Sequence, residues 1–268
     1  MMRWLRALEA VVVREAIRFL RQTSRLASAV VRPALWLLVF SAGFSNVLGI
    51  SITPPYQTYI TYDVYMLPGL VGMVLLFQGM QSSLALVFDR EAGFLRLLLT
   101  APVPRWFILF AKLLAGTILG VLQAYAFFAV AWLAGVDFPL IGLLTAAPAI
   151  LGSGFALAAI GLLLTVYVRK MENFAGTMNF VIFPALFLST ALYPAWKIAE
   201  SGALWMVWAV RLNPFSAIVE FIRFALYGEL AWREMAVTLG CGVFAFVLAA
   251  RGYDPQKGVL GRRGRDEG

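Results

Sequence analysis

The sequence predicts an all-α, polytopic membrane fold, and three observations carry that prediction. Hydrophobic residues make up 62% of the 268 positions and charged residues 13%, against about 45–50% and about 25% in soluble domains. Charges are absent from residues 33–62, 64–88, 113–136, 138–168, 173–196 and 235–250. All but the last of these runs reach the roughly 20 residues that a helix needs to cross a hydrocarbon core. Finally, eighteen of the 22 Lys and Arg fall in alternate connecting segments, at 1–32, 88–112, 167–173 and 251–268.

Residues 3–26 read as an amphipathic helix. Arg3, Arg14, Arg18, Arg21 and Arg25 share one arc at 100° per residue, opposite Val12, Ala16, Phe19, Leu20 and Leu26. That pattern suits a helix lying in the interfacial plane with its basic face toward anionic headgroups. A first span starts near Pro33, a residue that suits the first helical turn, and ends near Gly49. No A-x-A-like cleavage site follows it, so the span is expected to be retained. Residues 51–62, with Pro54 and Pro55, read as a loop.

Further spans are expected at 65–87, 104–133, 140–167 and 174–192. Arg105 and Lys112, seven apart at the start of the third span, share a face and are expected to snorkel together. Residues 193–234 are apolar but carry Lys197, Glu200, Arg211, Glu220, Arg223, Glu229, Arg233 and Glu234. A charge at the bilayer centre costs about 2.5–3.5 kcal/mol on insertion scales, so this stretch is not read as a simple crossing. Asn213-Pro214 is a helix-start pair, cap followed by first position, and Gly228 is a stop. Short helices at 203–211 and 214–227 would form a re-entrant or interfacial hairpin. A short sixth span, 235–250, would be anchored by Trp232, Arg233 and Arg251. The chain thus reads as one transmembrane domain, 1–268: a cytoplasmic amphipathic helix at 1–32, a six-span bundle at 33–250 and a cytoplasmic tail at 251–268.

The eighteen clustered cations place their segments, and both termini, in the cytoplasm by the positive-inside rule. Even crossing number and six spans agree. The net charge of +8 is explained by this clustering, not by nucleic-acid binding. Histidine is absent and Cys241 is the single cysteine, which excludes His-based catalysis, His metal sites and an intrachain disulfide. No catalytic, cofactor or metal site is expected. ATP hydrolysis is excluded as well: none of Lys112, Lys170, Lys197 and Lys257 follows a glycine, so there is no P-loop to cradle phosphates.

The loop between spans 2 and 3 is the most specific stretch. It reads Asp89-Arg90-Glu91-Ala92-Gly93-Phe94-Leu95-Arg96-Leu97-Leu98-Leu99-Thr100-Ala101-Pro102-Val103-Pro104-Arg105. A charged exit from span 2 meets a helix stop at Gly93. A stubby apolar helix follows, with Glu91 and Arg96 facing the cytosol, and prolines end it. Such a piece can be gripped by a soluble partner or can be a mere connector.

Glu91-x-Gly93…Leu98-Leu99-x-Ala101-Pro102-Val103-Pro104-Arg105…Lys112 resembles the loop of the ABC-2 family of transporter permeases. Leu212-Asn213-Pro214-Phe215…Arg223…Gly228 resembles that family's segment before the last span, and the topology matches along nearly the whole chain. The family's motif has Thr-Pro where this chain has Thr100-Ala101-Pro102. The resemblance implies the membrane subunit of an ATP-driven exporter in the cytoplasmic (inner) membrane. It implies a loop helix docked on a separate ATPase subunit, two copies of that ATPase holding the ATP and Mg, and a second copy of the permease. By resemblance, Glu91, Gly93, Phe94, Leu95 and Arg96 make the ATPase-coupling contact, and Asn213, Pro214, Glu220 and Arg223 belong to an extracellular hairpin. The cargo implied is amphipathic: lipid-like, glycan or drug-like.

Uncharged polar residues in or beside the spans, Gln78, Gln81, Ser82, Gln123, Asn173, Thr177 and Asn179, either line a pathway or bond neighbouring helices. The pairs Gly152–Ala156 and Gly154–Ala158 allow close helix contact, within the chain or at a dimer seam. Glu220 and Arg223 share a helix face and can pair. The alternative function is a secondary transporter or channel not coupled to ATP. Proton-coupled carriers use intramembrane acids or histidines as relays, and the span interiors contain none. A passive channel would leave the loop unexplained.

Overall fold

The computed structural model describes residues 2–21, 31–39, 43, 54–58, 60–93, 104–168, 170–200 and 202–252. They form helices α1 (Met2–Leu20), α2 (Tyr62–Glu91), α3 (Arg105–Leu133), α4 (Gly142–Thr145), α5 (Ala147–Tyr167), α6 (Met171–Phe187), α7 (Ala195–Glu200), α8 (Leu204–Leu212), α9 (Pro214–Leu226) and α10 (Trp232–Gly252). Residues 31–39 are helical too. No β-strand occurs among the described residues. The all-α membrane reading therefore holds.

Among the described residues, four helices are long and apolar enough to cross a membrane: α2, α3, α5 and α10. The expected span 1 lies partly outside the described residues. The expected span 4 is two helices, broken at Ala146, where Pro148 fixes the first turn of α5. The break is braced from outside: Thr145 Oγ1 donates to the Ala225 carbonyl at 2.6 Å, and Tyr125 Oη to that of Leu143 at 2.6 Å. The expected span 5 ends early. α6 stops at Phe187, just after Pro184, and a turn-rich stretch runs to Pro194. The sixth span is longer than expected, 21 residues, because Trp232, Arg233 and Glu234 join its first turn.

α2 is the centre of the bundle. It packs on α3, α5, α6 and α9, while α10 packs mainly on α5. Its residues from Val64 to Leu76 are buried without interruption, so it shows apolar character all round, as expected of a helix enclosed by others. Small residues set the tightest crossings. A Cβ on Gly79 would meet the Ala158 backbone nitrogen at 2.9 Å, and one on Gly242 would meet the Ala156 Cα at 2.9 Å. Gly152 faces Leu239 and Gly154 faces Thr117 and Leu75. The small residues of α5 thus serve packing within the chain, on α2 and α3 at one face and α10 at the other.

Two short helices stand before α10 at the expected positions, α8 and α9 meeting at Asn213, with the additional short α7 ahead of them. Asn213 closes two helix ends at once. Its Oδ1 accepts from Phe215 N at 3.0 Å, and its Nδ2 donates to the Ala185 and Leu188 carbonyls at 2.8 and 2.6 Å. One side chain therefore caps the start of α9 and satisfies carbonyls left over at the end of α6.

Candidate functional site: the C-terminal end of α2

The charge-free run of α2 ends in three consecutive charged residues, Asp89, Arg90 and Glu91. Successive residues on a helix point 100° apart, so the three side chains reach different neighbours. Asp89 is 2% exposed. Arg14 and Arg18 of α1 each donate to it at 3.1 Å, and Lys112 of α3 donates to the same carboxylate. Glu15 adds a second carboxylate, 3.6 Å from both Arg14 and Lys112. The Arg18 guanidinium also lies over the Phe88 ring, 5.6 Å from its centroid. Arg90 donates to the carbonyls of Thr165 and Val168 at 3.0 and 3.1 Å, which are orphan acceptors at the C-terminus of α5, where a cation is favoured. Glu91 accepts from Met171 N at 3.1 Å, at the N-terminus of α6, where an anion is favoured.

Three adjacent residues thus tie the C-terminal end of α2 to α1, α3, α5 and α6. Two expectations change. Arg14 and Arg18 turn toward Asp89 rather than toward headgroups, because a buried carboxylate offers charge-assisted hydrogen bonds with less competition from water. Lys112 also turns inward, with its side chain 9% exposed, whereas Arg105 stays exposed, so the two do not snorkel together. Two residues after the hub, Gly93 takes φ +77° with open space around it, the left-handed conformation that stops a helix. Of the predicted coupling contacts, Glu91 and Gly93 sit at this hub, Glu91 bonded within the chain. Phe94, Leu95 and Arg96 lie outside the described residues.

A second charged centre lies toward the other end of α2. Arg223 of α9 is 2% exposed and pairs with Glu220. It donates to the Thr190 and Tyr65 carbonyls at 3.0 and 3.4 Å, and its guanidinium stands 4.1 Å from the Tyr65 ring centroid. Tyr62 and Tyr65 of α2 donate to the carbonyls of Leu192 and Thr190 at 2.8 and 3.0 Å. The Tyr56 ring packs edge-on to Tyr227 at 4.9 Å, and burial pushes its phenol up to about 12. The expected Glu220–Arg223 pair exists, and its cation is buried in the protein core. Pro214 occupies the first turn of α9.

Between the two centres, Gln123 of α3 donates to Gln78 of α2 at 2.9 Å, and Gln78 donates to Ser82 at 3.2 Å. Both glutamines are buried, so they bond neighbouring helices. Gln81 lines cavities beside them. Asn179 stands exposed on α6, away from this group. Sequence reasoning missed the joint role of Asp89 and Arg90. The available signal was three charges in succession at the end of a 25-residue charge-free run.

Comparison with known proteins agrees with this architecture. The family model described as ABC-2 type transporter matches residues 6–227. A ycf38 protein of Porphyra purpurea, named as a transport permease, is 29% identical over 239 residues, covering 84% of this chain and 75% of its own length. Its counterpart from Cyanophora paradoxa is 28% identical over 236 residues, covering 85% and 77%. That from Pyropia yezoensis is 27% identical over 234 residues, covering 84% and 75%. The match spans the hub, the hairpin and all helices but α10, and the chain belongs to the ABC-2 type transporter family, as a membrane transport component of an ABC transporter.

Proposed function

We propose that this chain is the permease subunit of an ATP-driven exporter that moves an amphipathic cargo out of the cytoplasm. Two permease copies work with two copies of a separate ATPase, which hold the ATP and Mg. The chain crosses the cytoplasmic (inner) membrane six times with both termini inside, the orientation that the clustered cations favour. The observation that carries the reading is the Asp89-Arg90-Glu91 hub. Force from a soluble partner must enter through a contact outside the bilayer. The loop 92–104 joins α2 directly to α3, and its first anchor is bonded to four other helices. A push on that loop is therefore transmitted to most of the bundle. Phe94, Leu95 and Arg96 supply the docking surface, and Glu91 and Gly93 set where it begins.

The test separates docking from transmission. Replacing Phe94 and Arg96 together by Ala removes an aromatic anchor and an Arg, residues that often contribute 2 kcal/mol or more at interfaces, roughly thirtyfold in affinity. This double variant is expected to insert normally, lose copurification with the ATPase and lose transport-linked ATP turnover. Asp89→Asn is expected to keep the ATPase bound while uncoupling its turnover from transport. Normal copurification and transport in the Phe94/Arg96 variant would reduce the loop to a connector.

A further inference from the structure

The carboxylate oxygens at the C-terminal end of α2 carry unequal loads. Asp89 Oδ1 accepts from Arg18 at 3.1 Å. Asp89 Oδ2 accepts from both Arg14 Nη2, at 3.1 Å, and Lys112 Nζ. The same two donor atoms lie 3.6 Å from Glu15 Oε1. That oxygen is buried and has no hydrogen-bond partner among the described residues. Arg14 Nη2 and Lys112 Nζ therefore stand between two carboxylate oxygens, bonded to one and just out of reach of the other. Closing the longer distance to a charge-assisted bond takes a shift of about 0.7 Å.

A buried acceptor without a donor is costly and calls for an explanation. The helices that carry these groups supply one. Arg14, Glu15 and Arg18 belong to α1 and Lys112 to α3, and these two helices pack together, Trp4 standing edge-on to Phe107 at 4.9 Å. Asp89 alone belongs to α2. A displacement of the end of α2 against the α1–α3 pair thus draws Asp89 away from the two donors, while Glu15 stays beside them. Every carboxylate keeps a cation in the displaced arrangement: Asp89 retains Arg18 through Oδ1, and Glu15 takes Arg14 and Lys112. No buried charge is stranded, which avoids the penalty of breaking a buried pair. Two discrete arrangements with all charges matched are what a bistable contact needs.

We propose that Glu15 is the second seat of a charge switch: as the end of α2 shifts, Arg14 and Lys112 pass from Asp89 Oδ2 to Glu15 Oε1. Lys112 depends on that seat the more. Its side chain is 9% exposed, so it cannot turn to water as Arg14, at 39%, can. Glu15 is thus idle in the arrangement seen here and needed in the other. The use of the switch during transport rests on the coupling role proposed above. The seat itself does not, because all its members lie in this chain.

Unfolding midpoints of the full-length chain in mild detergent test the seat through a cycle of Glu15→Gln, Asp89→Asn and the double variant. Asp89→Asn imitates the displaced arrangement by removing the first seat. In the wild-type background Glu15→Gln is expected to lower the midpoint by about 1 °C at most, since Oε1 has no hydrogen bond to lose. In the Asp89→Asn background the same substitution should lower it by about 4 °C, the order of one charged hydrogen bond in a chain of this size. Glu9→Gln, an exposed acid on the same helix, is the control and should shift neither background. Equal shifts from Glu15→Gln in the two backgrounds overturn the proposal. So does an Asp89→Asn chain that fails to fold with Glu15 intact, because the second seat would not have taken over. A double variant that fails to fold when both singles fold is the same synergy at its limit and supports it. With the ATPase bound, Glu15→Gln should keep copurification and lose about tenfold in transport per ATP turned over. Normal coupling in that variant overturns the handover. Absence of any ATPase partner would instead sink the function proposed above and leave the unfolding cycle to decide the switch.

Discussion

Asp89 and Arg223 are equally buried, 2% exposed each, and both touch α2, yet they are satisfied in opposite ways. Asp89 is one anion shared by three cations, two of which remain partly open to solvent: Arg14 with 39% of its side chain exposed and Arg18 with 28%. Arg223 is one cation held by a single carboxylate, two backbone carbonyls and a tyrosine face. Backbone carbonyls cannot leave, whereas long side chains at a wet margin can. The Arg223 centre is thus built as a fixed joint between α9, α2 and the 188–194 turn. The one at Asp89 is a joint whose partly exposed members can trade partners, which is what the proposed coupling role would use. Mutations can break this distinction or sharpen it.

The largest effect is expected at the Arg223 joint. Glu220→Ala leaves the Arg223 guanidinium buried with carbonyls alone, and removing one partner of a buried ion pair costs roughly 3–5 kcal/mol. Arg223→Met removes the charge along with the need for it and should cost much less. Unfolding midpoints of the purified variants, followed by tryptophan fluorescence in detergent, give the order. Equal losses in the two variants would mean that Arg223 contributes packing rather than a charge joint.

Asp89→Asn comes next. It leaves three cations facing one another without their anion, but Arg14 and Arg18 can turn to water, so the stability loss should stay near 2 kcal/mol, within the range for a lost charged hydrogen bond. Its functional effect should be the greater one. The two joints then differ in kind: Glu220→Ala lowers the amount of folded protein, and Asp89→Asn lowers transport per ATP turned over. If Asp89→Asn destabilises as much as Glu220→Ala while coupling per folded molecule is normal, the Asp89 joint is as static as the Arg223 one.

These joints also show what was legible in the sequence. The hairpin was: Asn213-Pro214 and Gly228 carry local signals, a cap, a fixed φ and a left-handed stop (φ +74° at Gly228), that act whatever surrounds them. The pairing of Glu220 with Arg223 followed from three-residue spacing on one helix. That the cation lies in the core did not, because it depends on Tyr65 and Thr190, which are 158 and 33 positions away. The same limit applies at the hub. Its loop was recognisable from its own residues, but the inward turn of Arg14 and Lys112 depends on a carboxylate 75 and 23 positions distant. Helix lengths fared worst where a charge-free run was taken for a single helix. Ala146 and the turn-rich 188–194 stretch interrupt runs that contain no charge at all, and hydropathy does not register a backbone break.

Two glycines permit a matched test. Gly93, after α2, and Gly228, after α9, have φ +77° and +74°, and each has open space around its Cα. An added methyl meets nothing at either, so Gly93→Ala and Gly228→Ala should each cost about 1 kcal/mol, the left-handed penalty for an L-residue. Equal stability losses with unequal functional losses, Gly93→Ala alone reducing transport, are expected if the turn after α2 aims the docking loop and the turn after α9 is only a stop. Identical transport in the two variants would remove the functional half of the contrast.

The smallest effect belongs to the glutamine pair midway between the joints. Gln78 and Gln123 are both buried and bonded across α2 and α3. Interhelical hydrogen bonds of this kind average about 0.6 kcal/mol in membrane proteins. Gln78→Leu leaves Gln123 without its acceptor, so it should cost more than that average, about 1 kcal/mol, through the unpaired amide. Gln123→Leu should behave alike, although Gln78 keeps Ser82 as an acceptor at 3.2 Å and the loss should be the lesser of the two. In the double variant no amide is left unpaired, and the leucines fill similar volume, so its cost should fall below the sum of the singles. That non-additivity, read from a double-mutant cycle of unfolding midpoints, is the signature of a bonded pair. Strict additivity would show that the two amides act independently, as separate groups facing an open cleft would, and the middle of the bundle would then resemble the wet Asp89 joint more than the sealed Arg223 one.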